Sequence, residues 1–459
     1  MADHNFDLVI LGGGSGGYAA ALRSAQLGMS VALIERDKLG GTCLHRGCIP
    51  TKALLHAAEV ADVTKEAAAY GVSASFNGID MNQVNKYRDG IVDRLFKGLT
   101  GLVGSSKNIT FVAGEGRLTG PKTITVGSDT YTGTNLVLAT GSYSRSLPGL
   151  EIGGRVITSE HALQLNFVPN KVIVLGGGVI GVEFASVWKS FGTDVTIVEG
   201  LPNLVPNEDP TVSKALERAF RKRGINFKTG VRFSGVTQNE NGVVVTLEDG
   251  TVLDAELMLV AVGRGPNTAG FGYEEQGVTM ERGWVITNDR LQTSLPGVYA
   301  AGDIVPGLQL AHRGFQQGIF IAEEIAGLNP RTIDENGIPK VTYCEPEIAS
   351  VGLSQAKAEE LYGSENVTTY EYNLGGNGKS QILGTAGFIK LVRKNNGPVV
   401  GVHMIGSRVG EQIGEAQLIV NWEAYPEDVA ALIHAHPTMN EAIGEAHLAL
   451  AGKPLHAHA

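Results

Sequence analysis

The sequence predicts an α/β fold that contains two similar βαβ units, and three observations support this prediction. First, residues 6–35 and residues 170–199 resemble each other when they are aligned from their first positions. Second, each segment reads as a short apolar strand, a glycine-rich turn, a helix with apolar periodicity and a second strand. Third, each second strand ends in an acid, Glu35 in one copy and Glu199 in the other. Two copies of one pattern indicate a repeated structural unit.

The glycines in each turn have the spacing of a Rossmann-like dinucleotide-binding motif. A first glycine permits a tight turn, a second lets the backbone approach a pyrophosphate, and a third lets the helix pack on the strand. The pyrophosphate then lies at the helix N-terminus, and the acid can accept a hydrogen bond from a ribose hydroxyl. One motif is a weak signal, but two motifs with their acids predict two bound dinucleotides. The residues are Gly12, Gly14, Gly17 and Glu35 in the first copy, and Gly176, Gly178, Gly181 and Glu199 in the second.

The second copy favours NAD over NADP. Glu199 is followed by Gly200, and no arginine lies nearby in the sequence to bind a 2′-phosphate. A carboxylate at this place would repel that phosphate. The alternative is that Glu199 only closes its strand.

Two cysteines lie five residues apart directly after the first unit, in the segment GGTCLHRGCIPTK. Five residues of ideal helix rise about 7.5 Å, beyond the roughly 7 Å limit between the Cα atoms of a disulfide. A bridge between Cys43 and Cys48 therefore needs an irregular turn, which Gly47 and the restriction of Ile49 by Pro50 can supply. Beside a dinucleotide site, such a pair suggests a reversible redox disulfide. The alternatives are an incidental reduced pair or half of a metal site.

The composition is that of a globular protein and argues against several classes of function. The 459 residues are 43% hydrophobic, and a chain of this length is expected to form about three or four domains. A net charge of −10 without a basic block disfavours nucleic acid as a partner. The sequence has no apolar stretch of about 20 residues, and its N-terminus reads as a first strand. Because Cys344 is isolated, we expect neither a disulfide framework nor a metal site. A cytoplasmic location without membrane association is predicted.

The segment around the cysteine pair resembles the redox-active signature of the class I pyridine nucleotide–disulfide oxidoreductases, and the resemblance extends over essentially the whole chain. Four further motifs resemble, in order, the turn from the flavin domain into the NAD domain, the exit from that domain, the second flavin motif and the C-terminal acid–base motif. They are residues 139–142, 262–267, 299–303 and 434–441. His45 and Arg46 depart from the usual residues between the cysteines, a change that we expect to tune the redox potential.

The resemblance implies FAD and NAD as cofactors and a thiol as substrate. Glu199 and the CIPTK run are most similar to the branch of the family that oxidises protein-bound dihydrolipoamide to lipoamide with reduction of NAD. That branch implies a lipoyl domain and an E2-type component of a 2-oxoacid dehydrogenase complex as partners, or a glycine-cleavage assembly. One alternative is an NAD(P)H-dependent reductase of a small disulfide. An alternative from another class is a flavin-binding redox sensor or scaffold.

The resemblance also assigns catalytic roles. Cys43 meets the substrate sulfur, and Cys48 contacts the flavin and passes electrons to it. His436 is the general base that takes a proton from the substrate dithiol, because only thiolates attack disulfides, and Glu441 orients its imidazole.

The cofactor contacts follow from the same resemblance. Lys52 is expected near the flavin, where its charge stabilises the reduced ring, and Glu183 is expected to pair with it near the nicotinamide. Contacts with FAD are implied for Gly12, Gly14, Gly17, Glu35, Lys52, Thr140, Gly141, Ser142 and Asp303. Contacts with NAD are implied for Gly176, Gly178, Gly181, Glu183, Glu199 and Gly263.

The domain organisation implied by the resemblance has four parts. They are a first FAD-binding part at residues 1–148, an NAD-binding domain at 149–270, a central domain completing the FAD site at 271–342, and an interface domain at 343–459. The fold class is therefore α/β, with two Rossmann-like domains and a mixed α/β C-terminal dimerisation domain. Alternating apolar residues at 387–392 and 399–404 predict strands in that last part.

In the family the catalytic histidine reaches the cysteines from the other subunit, so a homodimer is predicted. His434 is expected to be structural. His447, His456 and His458 can suggest a metal, but a short tail of histidines and alanines is expected to be disordered and inert.

Overall fold

The computed structural model describes residues 2–457, and the first predicted βαβ unit lies within a seven-stranded sheet. This part contains β1 (Asp3–Leu11), α1 (Ser15–Gln26), β2 (Val31–Glu35), α2 (Gly41–Arg46), α3 (Cys48–Glu66), α4 (Met81–Ser105), β3 (Ile109–Ala113), β4 (Gly116–Gly120), β5 (Thr123–Val126), β6 (Asp129–Leu138) and β7 (Ser142–Ser144). The strand order is β3-β2-β1-β6-β5-β4, in which β3, β2, β1 and β6 are parallel. Residues 8–11 and 31–34 are buried, which explains the apolar runs of these strands.

The second βαβ unit forms a five-stranded parallel sheet. The elements here are β8 (Val156–Ile157), α5 (Ser159–Ala162), β9 (Lys171–Leu175), α6 (Val179–Phe191), β10 (Asp194–Glu199), α7 (Pro210–Arg223), β11 (Asn226–Thr229), β12 (Phe233–Gln238), β13 (Val243–Leu247), β14 (Val252–Ala255), β15 (Leu257–Val260) and β16 (Arg264–Pro266). The order is β11-β10-β9-β15-β8, and β12, β13 and β14 form a separate antiparallel sheet. Helix α6 is almost wholly buried.

The chain enters and leaves the second unit through one two-stranded ribbon. Strand β7 pairs with β16 in antiparallel register, so that Ser142 lies opposite Pro266 and Ser144 lies opposite Arg264. The two motifs at residues 139–142 and 262–267 meet at this ribbon. The predicted domain boundaries remain a proposal.

A segment beyond the second unit returns to complete the first sheet. It contains β17 (Met280–Glu281), β18 (Trp284–Val285), β19 (Val298–Ala300) and α8 (Ala311–Ile325). Strand β19 pairs in parallel with β6, and α8 packs closely against α1. A Cβ atom at Gly318 would lie 2.3 Å from the carbonyl oxygen of Gly16, so glycine permits this helix contact.

The C-terminal part is a five-stranded antiparallel sheet with helices. Its elements are β20 (Lys340–Thr342), β21 (Glu347–Gly352), α9 (Gln355–Tyr362), β22 (Val367–Asn373), α10 (Gly378–Leu383), β23 (Phe388–Lys394), β24 (Val399–Gly406), α11 (Val409–Asn421), α12 (Pro426–Ala430) and α13 (Glu441–Leu450). Strands β23 and β24 confirm the two predicted strands, and the predicted fold class is confirmed. Within residues 2–457, the structure contains no helix with the length and apolarity that a bilayer crossing requires.

Candidate active site

The first glycine of each βαβ unit makes a turn that excludes a side chain. The φ angle is 109° at Gly12 and 108° at Gly176, a conformation that residues with a Cβ atom rarely adopt. A Cβ atom at Gly12 would lie 2.2 Å from the carbonyl oxygen of Ala139, and one at Gly176 would lie 2.4 Å from that of Ala261. The backbone at the end of a neighbouring strand thus requires glycine at both positions.

The third glycine of each unit permits close packing within the protein, whereas the second glycine borders empty space. A Cβ atom at Gly17 or Gly181 would lie 1.8 or 1.9 Å from the carbonyl oxygen of the first glycine of its unit, so these residues permit close packing of helix on strand. A Cβ atom at Gly14 or Gly178 would meet nothing within 4 Å. The protein does not need that space for its own packing, and the space lies at a helix N-terminus, a place that can bind a pyrophosphate. By this criterion both turns fit a dinucleotide.

The acid of each unit makes the same pair of hydrogen bonds. The carboxylate of Glu35 accepts from the N–H of Gly13 at 2.6 Å and from the N–H of Asp37 at 2.8 Å. Glu199 accepts from the two equivalent backbone N–H groups of the second unit at 2.7 and 2.8 Å. Each carboxylate oxygen can still accept a second hydrogen bond, as contact with a ribose hydroxyl requires. Both acids therefore fix a glycine turn, and both line the central cavity.

One cavity of about 1500 Å³ connects the two turns with the cysteine pair. Gly14 and Gly178 line it, and so do Cys43, Cys48 and Lys52. Most predicted cofactor contacts lie on its wall, including Thr140, Gly141, Ser142, Asp303, Glu183 and Gly263. The structure thus brings together, in one chain, two dinucleotide cradles and two thiols.

The two cysteines lie on either side of a break between two helices. Helix α2 ends at Arg46 and α3 begins at Cys48, so Gly47 alone interrupts the helical path. Gly47 supplies the irregular turn, but the expectation that the restriction of Ile49 by Pro50 contributes to it is wrong. Both residues lie in the first turn of α3, where the missing N–H of a proline costs no helical hydrogen bond.

Cys43 and Cys48 are free thiols, both are half-buried, and each shifts the pKa of the other. The hydrogen bond from the Cys43 thiol lowers the pKa of Cys48 to about 7. Burial raises this pKa, and the charge of Lys52 lowers it. The same hydrogen bond, together with burial, raises the pKa of Cys43. Cys48 is therefore the cysteine that exists as a thiolate near neutral pH, which suits it to act as leaving group or electron donor.

Lys52 lies one helical turn after Cys48 and pairs with Glu183 of the second unit. Its Nζ lies 2.9 Å from both carboxylate oxygens of Glu183, whose side chain is only 3% exposed. Burial opposes the charge of Lys52, but the carboxylate outweighs it and raises the pKa of the ammonium. The pair places a cation beside the thiolate.

The predicted FAD contacts at the ribbon also contact one another. The hydroxyl of Ser142 donates to Oδ2 of Asp303 at 2.5 Å. The hydroxyl of Thr140 donates to the carbonyl oxygen of Asn267 at 2.7 Å, which joins the segments just before β7 and just after β16. Gly141 has a φ of 76°, in the region that favours glycine.

His436 lies apart from the cavity. Its Nδ1 is 2.8 Å from Oε1 of Glu441, and the other oxygen of Glu441 accepts from the N–H of Thr438 at 2.7 Å. The imidazole side chain is 77% exposed and does not line the cavity that contains Cys43. Within one chain the structure does not bring His436 to the cysteines. A role there requires a second subunit.

Sequence reasoning missed residues that reach the site from distant parts of the chain. The guanidinium of Arg264 donates from Nε to Oγ of Ser142 at 2.7 Å, which ties it to the residue that contacts Asp303. Tyr343 lines the cavity from the C-terminal part and contacts Lys52 and Glu183. The ribbon motif contained Arg264 as a signal, but no local pattern marks Tyr343.

Two expectations need correction. The expectation that no arginine is available beside Glu199 holds only along the sequence, because the fold brings Arg232 close. The Cγ atom of Arg232 lies 3.6 Å from the position of a Cβ atom at Gly200, and Arg232 lines the cavity. The C-terminal tail is not disordered at His456, whose backbone N–H and Nδ1 both contact Glu445 at 2.9 Å. His458 lies outside the described residues.

Other histidines are held within the C-terminal part. His434 contacts Glu415 at 2.7 Å, and this hydrogen bond raises the pKa of its imidazole. His447 is fully buried on α13, and burial lowers its pKa to about 4. Within residues 2–457, no group of three or more histidine, cysteine or acidic side chains could hold a metal ion.

Comparisons with known proteins point to one family. Residues 6–318 match the family model described as pyridine nucleotide-disulphide oxidoreductase, and residues 338–447 match the dimerisation domain of that family. A dihydrolipoyl dehydrogenase of Bacillus subtilis (strain 168) is 41% identical, with 98% of this chain and 99% of that protein covered. A mitochondrial dihydrolipoyl dehydrogenase of Pisum sativum is 38% identical over 99% of this chain and 93% of its own length. The crystal structure of LpdA from Mycobacterium tuberculosis superposes with a TM-score of 0.90 at 27% identity, covering 98% of this chain and 100% of the other.

Proposed function

The chain belongs to the pyridine nucleotide-disulphide oxidoreductase family, and from this premise we propose that it oxidises a protein-bound dihydrolipoamide to lipoamide and reduces NAD. The expected family is confirmed, and the enzyme is a flavoprotein disulfide oxidoreductase whose cofactors are FAD and NAD. The observation that carries the proposal is the single cavity that joins two dinucleotide turns to a pair of adjacent thiols. Two-electron transfer between a dithiol and a nicotinamide needs these parts in one place.

The thiol chemistry is a double exchange at the Cys43–Cys48 disulfide. A substrate thiolate attacks Sγ of Cys43, a substrate–Cys43 disulfide forms, and Cys48 leaves as a thiolate. The second substrate thiolate then attacks the first substrate sulfur, the substrate disulfide closes, and Cys43 leaves. Two electrons pass from the substrate to the cysteine pair. The lowered pKa of Cys48 makes it the better leaving group of the two.

The two substrate protons need acceptors, and the proposed ones are His436 and the Cys43 thiolate. His436 is oriented by Glu441, and an imidazole can exchange protons close to neutral pH. Because His436 lies outside the cavity of its own chain, we propose that it takes a proton from the substrate dithiol that reacts at Cys43 of the other subunit. The match to a dimerisation domain supports a homodimer.

FAD, when bound, supplies the two-electron carrier between the thiols and the nicotinamide. The first unit would hold it through Gly12, Gly14, Gly17 and Glu35, with further contacts from Lys52, Thr140, Gly141, Ser142 and Asp303. The second unit would hold NAD through Gly176, Gly178, Gly181, Glu183, Glu199 and Gly263. Lys52 and Glu183 form an ion pair at the cavity wall between the two cradles, where the cation can stabilise negative charge.

The partners we propose are a lipoyl domain and an E2-type component of a 2-oxoacid dehydrogenase complex. The proposal rests on the name of the relatives, which share about two fifths of their residues with this chain along nearly its full length. A cytoplasmic location stays a prediction.

The test is steady-state NADH production with free dihydrolipoamide. We expect Cys48→Ser to abolish turnover and His436→Gln to slow it by at least about 100-fold, as is typical for loss of a general base. Matched controls are Cys344→Ser, at the third cysteine, and His4→Gln, at an exposed histidine on β1; both should retain the wild-type rate. Normal rates in both active-site variants would refute the assigned roles.

The same assay separates the alternatives. A reductase of a small disulfide would consume NAD(P)H faster with a low-molecular-weight disulfide than with lipoamide. A redox sensor or scaffold would show no sustained turnover with any dithiol. Either outcome would overturn the proposed substrate while leaving the family assignment intact.

A further inference from the structure

Tyr343 contacts the ion pair at the active site from the C-terminal part of the chain. It lies between β20 and β21, directly after the first strand of the C-terminal sheet, yet it lines the central cavity. Its backbone N–H donates to Oε1 of Glu183 at 2.9 Å. Its ring centroid lies 4.7 Å from Nζ of Lys52. One residue therefore touches both members of the pair.

The ammonium of Lys52 is held on two sides. Both carboxylate oxygens of Glu183 lie 2.9 Å away on one side, and the face of the Tyr343 ring lies within the range of a cation–π contact. The lysine side chain is 32% exposed, and a lysine stem has four rotatable bonds, so the carboxylate alone does not fix where the charge lies. The ring gives the ammonium a second contact besides the carboxylate.

The charged groups around this centre come from several elements. The groups that act on Cys48 are Cys43, Lys52 and Glu183. Those that act on Lys52 are Glu183, Cys48 and Tyr343. The Tyr343 hydroxyl also experiences the acids Glu347 and Glu411 of the C-terminal part. Among these groups Lys52 is the one cation, so the stability of the Cys48 thiolate depends on where the ammonium lies.

We propose that Tyr343 is a positioning residue whose ring holds the ammonium of Lys52 against Glu183 and thereby keeps Cys48 in its reactive thiolate form. The proposal deepens the redox role assigned to the cysteine pair and rests on it. The contact works through the aromatic ring and the backbone, since within residues 2–457 the Tyr343 hydroxyl makes no hydrogen bond. Phenylalanine at this position should therefore still hold the ammonium of Lys52, and an aliphatic residue should not.

The experiment measures the pH dependence of Cys48 alkylation in the reduced holoenzyme. Only the thiolate reacts with iodoacetamide, so the rate follows the ionised fraction. Trypsin cleaves after Arg46 and so places Cys43 and Cys48 on different peptides, which mass spectrometry quantifies separately. The wild type should show a midpoint near pH 7 at Cys48.

We expect Tyr343→Leu to move this midpoint upward and to slow Cys48 alkylation on the order of threefold at pH 6. The reason is that the Lys52 cation is then held less closely and stabilises the thiolate less. Tyr343→Phe should keep the wild-type profile. If Tyr343→Leu does not fold, Tyr343→Met replaces it as a second aliphatic-like substitution of comparable size.

A double-mutant test asks whether the ring acts through the lysine. In a Lys52→Gln background, Tyr343→Leu should produce no further shift, because the cation is already absent. An unshifted profile in Tyr343→Leu with a lowered melting temperature would reduce Tyr343 to a packing role and overturn the proposal. A shift of equal size in Tyr343→Phe would also overturn it, since the hydroxyl would then be responsible. Failure of the wild type to oxidise dihydrolipoamide would instead refute the proposed function, because the alkylation profile does not depend on turnover.

Discussion

The two βαβ units share a backbone and differ in the side chains that they add to it. Their first glycines have φ angles within about one degree, and the carboxylates of Glu35 and Glu199 accept the same two backbone hydrogen bonds at nearly the same distances. In both units the first glycine lies against a carbonyl oxygen at the end of a neighbouring strand. The chain thus builds one dinucleotide cradle twice.

The helices of the two units have different neighbours. Helix α1 packs against α8 through small residues, and Ala19 faces the interior. The equivalent position on α6 is Glu183, which reaches the cavity and binds Lys52. The repeated backbone therefore specifies that a dinucleotide binds, and a few side chains on the helix decide whether the unit also takes part in the chemistry.

The largest expected effect comes from adding one carbon to the first glycine of either unit. Gly12→Ala places a Cβ atom 2.2 Å from a backbone oxygen at a φ of 109°, and Gly176→Ala repeats the conflict in the second unit. Strain and clash of about 3 kcal/mol or more correspond to at least a 100-fold loss of affinity. We expect Gly12→Ala to purify with little FAD, and Gly176→Ala to retain FAD while its KM for NAD rises. Flavin absorbance and NAD titration measure the two outcomes.

A matched control for these variants is Gly98→Ala on α4. A Cβ atom there meets nothing within 4 Å, and alanine favours a helix, so both cofactors should bind as in the wild type. Loss of FAD in Gly176→Ala, or of NAD binding alone in Gly12→Ala, would exchange the two cofactor assignments.

Much of this architecture follows from local sequence patterns. The glycine spacing with its terminal acid predicted both units, and apolar alternation predicted β23 and β24, because these features depend on residues close together in the chain. The contact between Lys52 and Glu183 followed only from the family resemblance, since 131 positions separate the two residues.

The remaining site residues depend on tertiary contacts that no local pattern records. Tyr343 lies 160 positions from Glu183, between β20 and β21, whereas Glu183 lies on α6, yet the backbone of Tyr343 binds that carboxylate. Arg232 reaches Gly200 only because β10 and the segment after β11 lie side by side. Pro50 was misjudged for a different reason: a proline in the first helical turn costs nothing, and the sequence did not show where α3 begins.

A second prediction compares the ion pair that α6 makes through Glu183 with the ion pair that α1 makes through Arg23. Glu183→Gln removes the charge opposite Lys52 from a carboxylate that is 3% exposed, and we expect the free energy of unfolding to fall by about 2 kcal/mol. The value is below that of a fully buried pair because Lys52 reaches solvent. Glu323→Gln removes the partner of Arg23 on α1, where both side chains are about a quarter to a third exposed, and should cost at most about 0.5 kcal/mol. Thermal unfolding of the two variants measures the contrast.

Equal melting temperatures for Glu183→Gln and Glu323→Gln would show that the α6 ion pair does not stabilise the fold as much as its burial predicts. A selective effect of Glu183→Gln, with normal NAD affinity, would place that carboxylate in support of Lys52 more than in binding the nicotinamide.

The smallest effect is expected at Arg232, where the two units differ just beyond their acids. Arg36 follows Glu35 in the first unit, whereas Gly200 follows Glu199 in the second, and the side chain of Arg232 lies beside that glycine. The guanidinium makes no ion pair among residues 2–457, so its charge is available to a 2′-phosphate, while Glu199 repels one. We expect Arg232→Gln to raise the KM for NADP relative to that for NAD. The rise should be only about two- to fivefold, because an exposed charge is largely screened.

Lys222→Gln, the same loss of charge on the exposed face of α7, should leave the ratio of the two KM values unchanged, and the Arg232 effect should fade in 1 M salt. An unchanged ratio in Arg232→Gln at low salt would show that Glu199 alone sets the preference, as its position in the sequence first suggested.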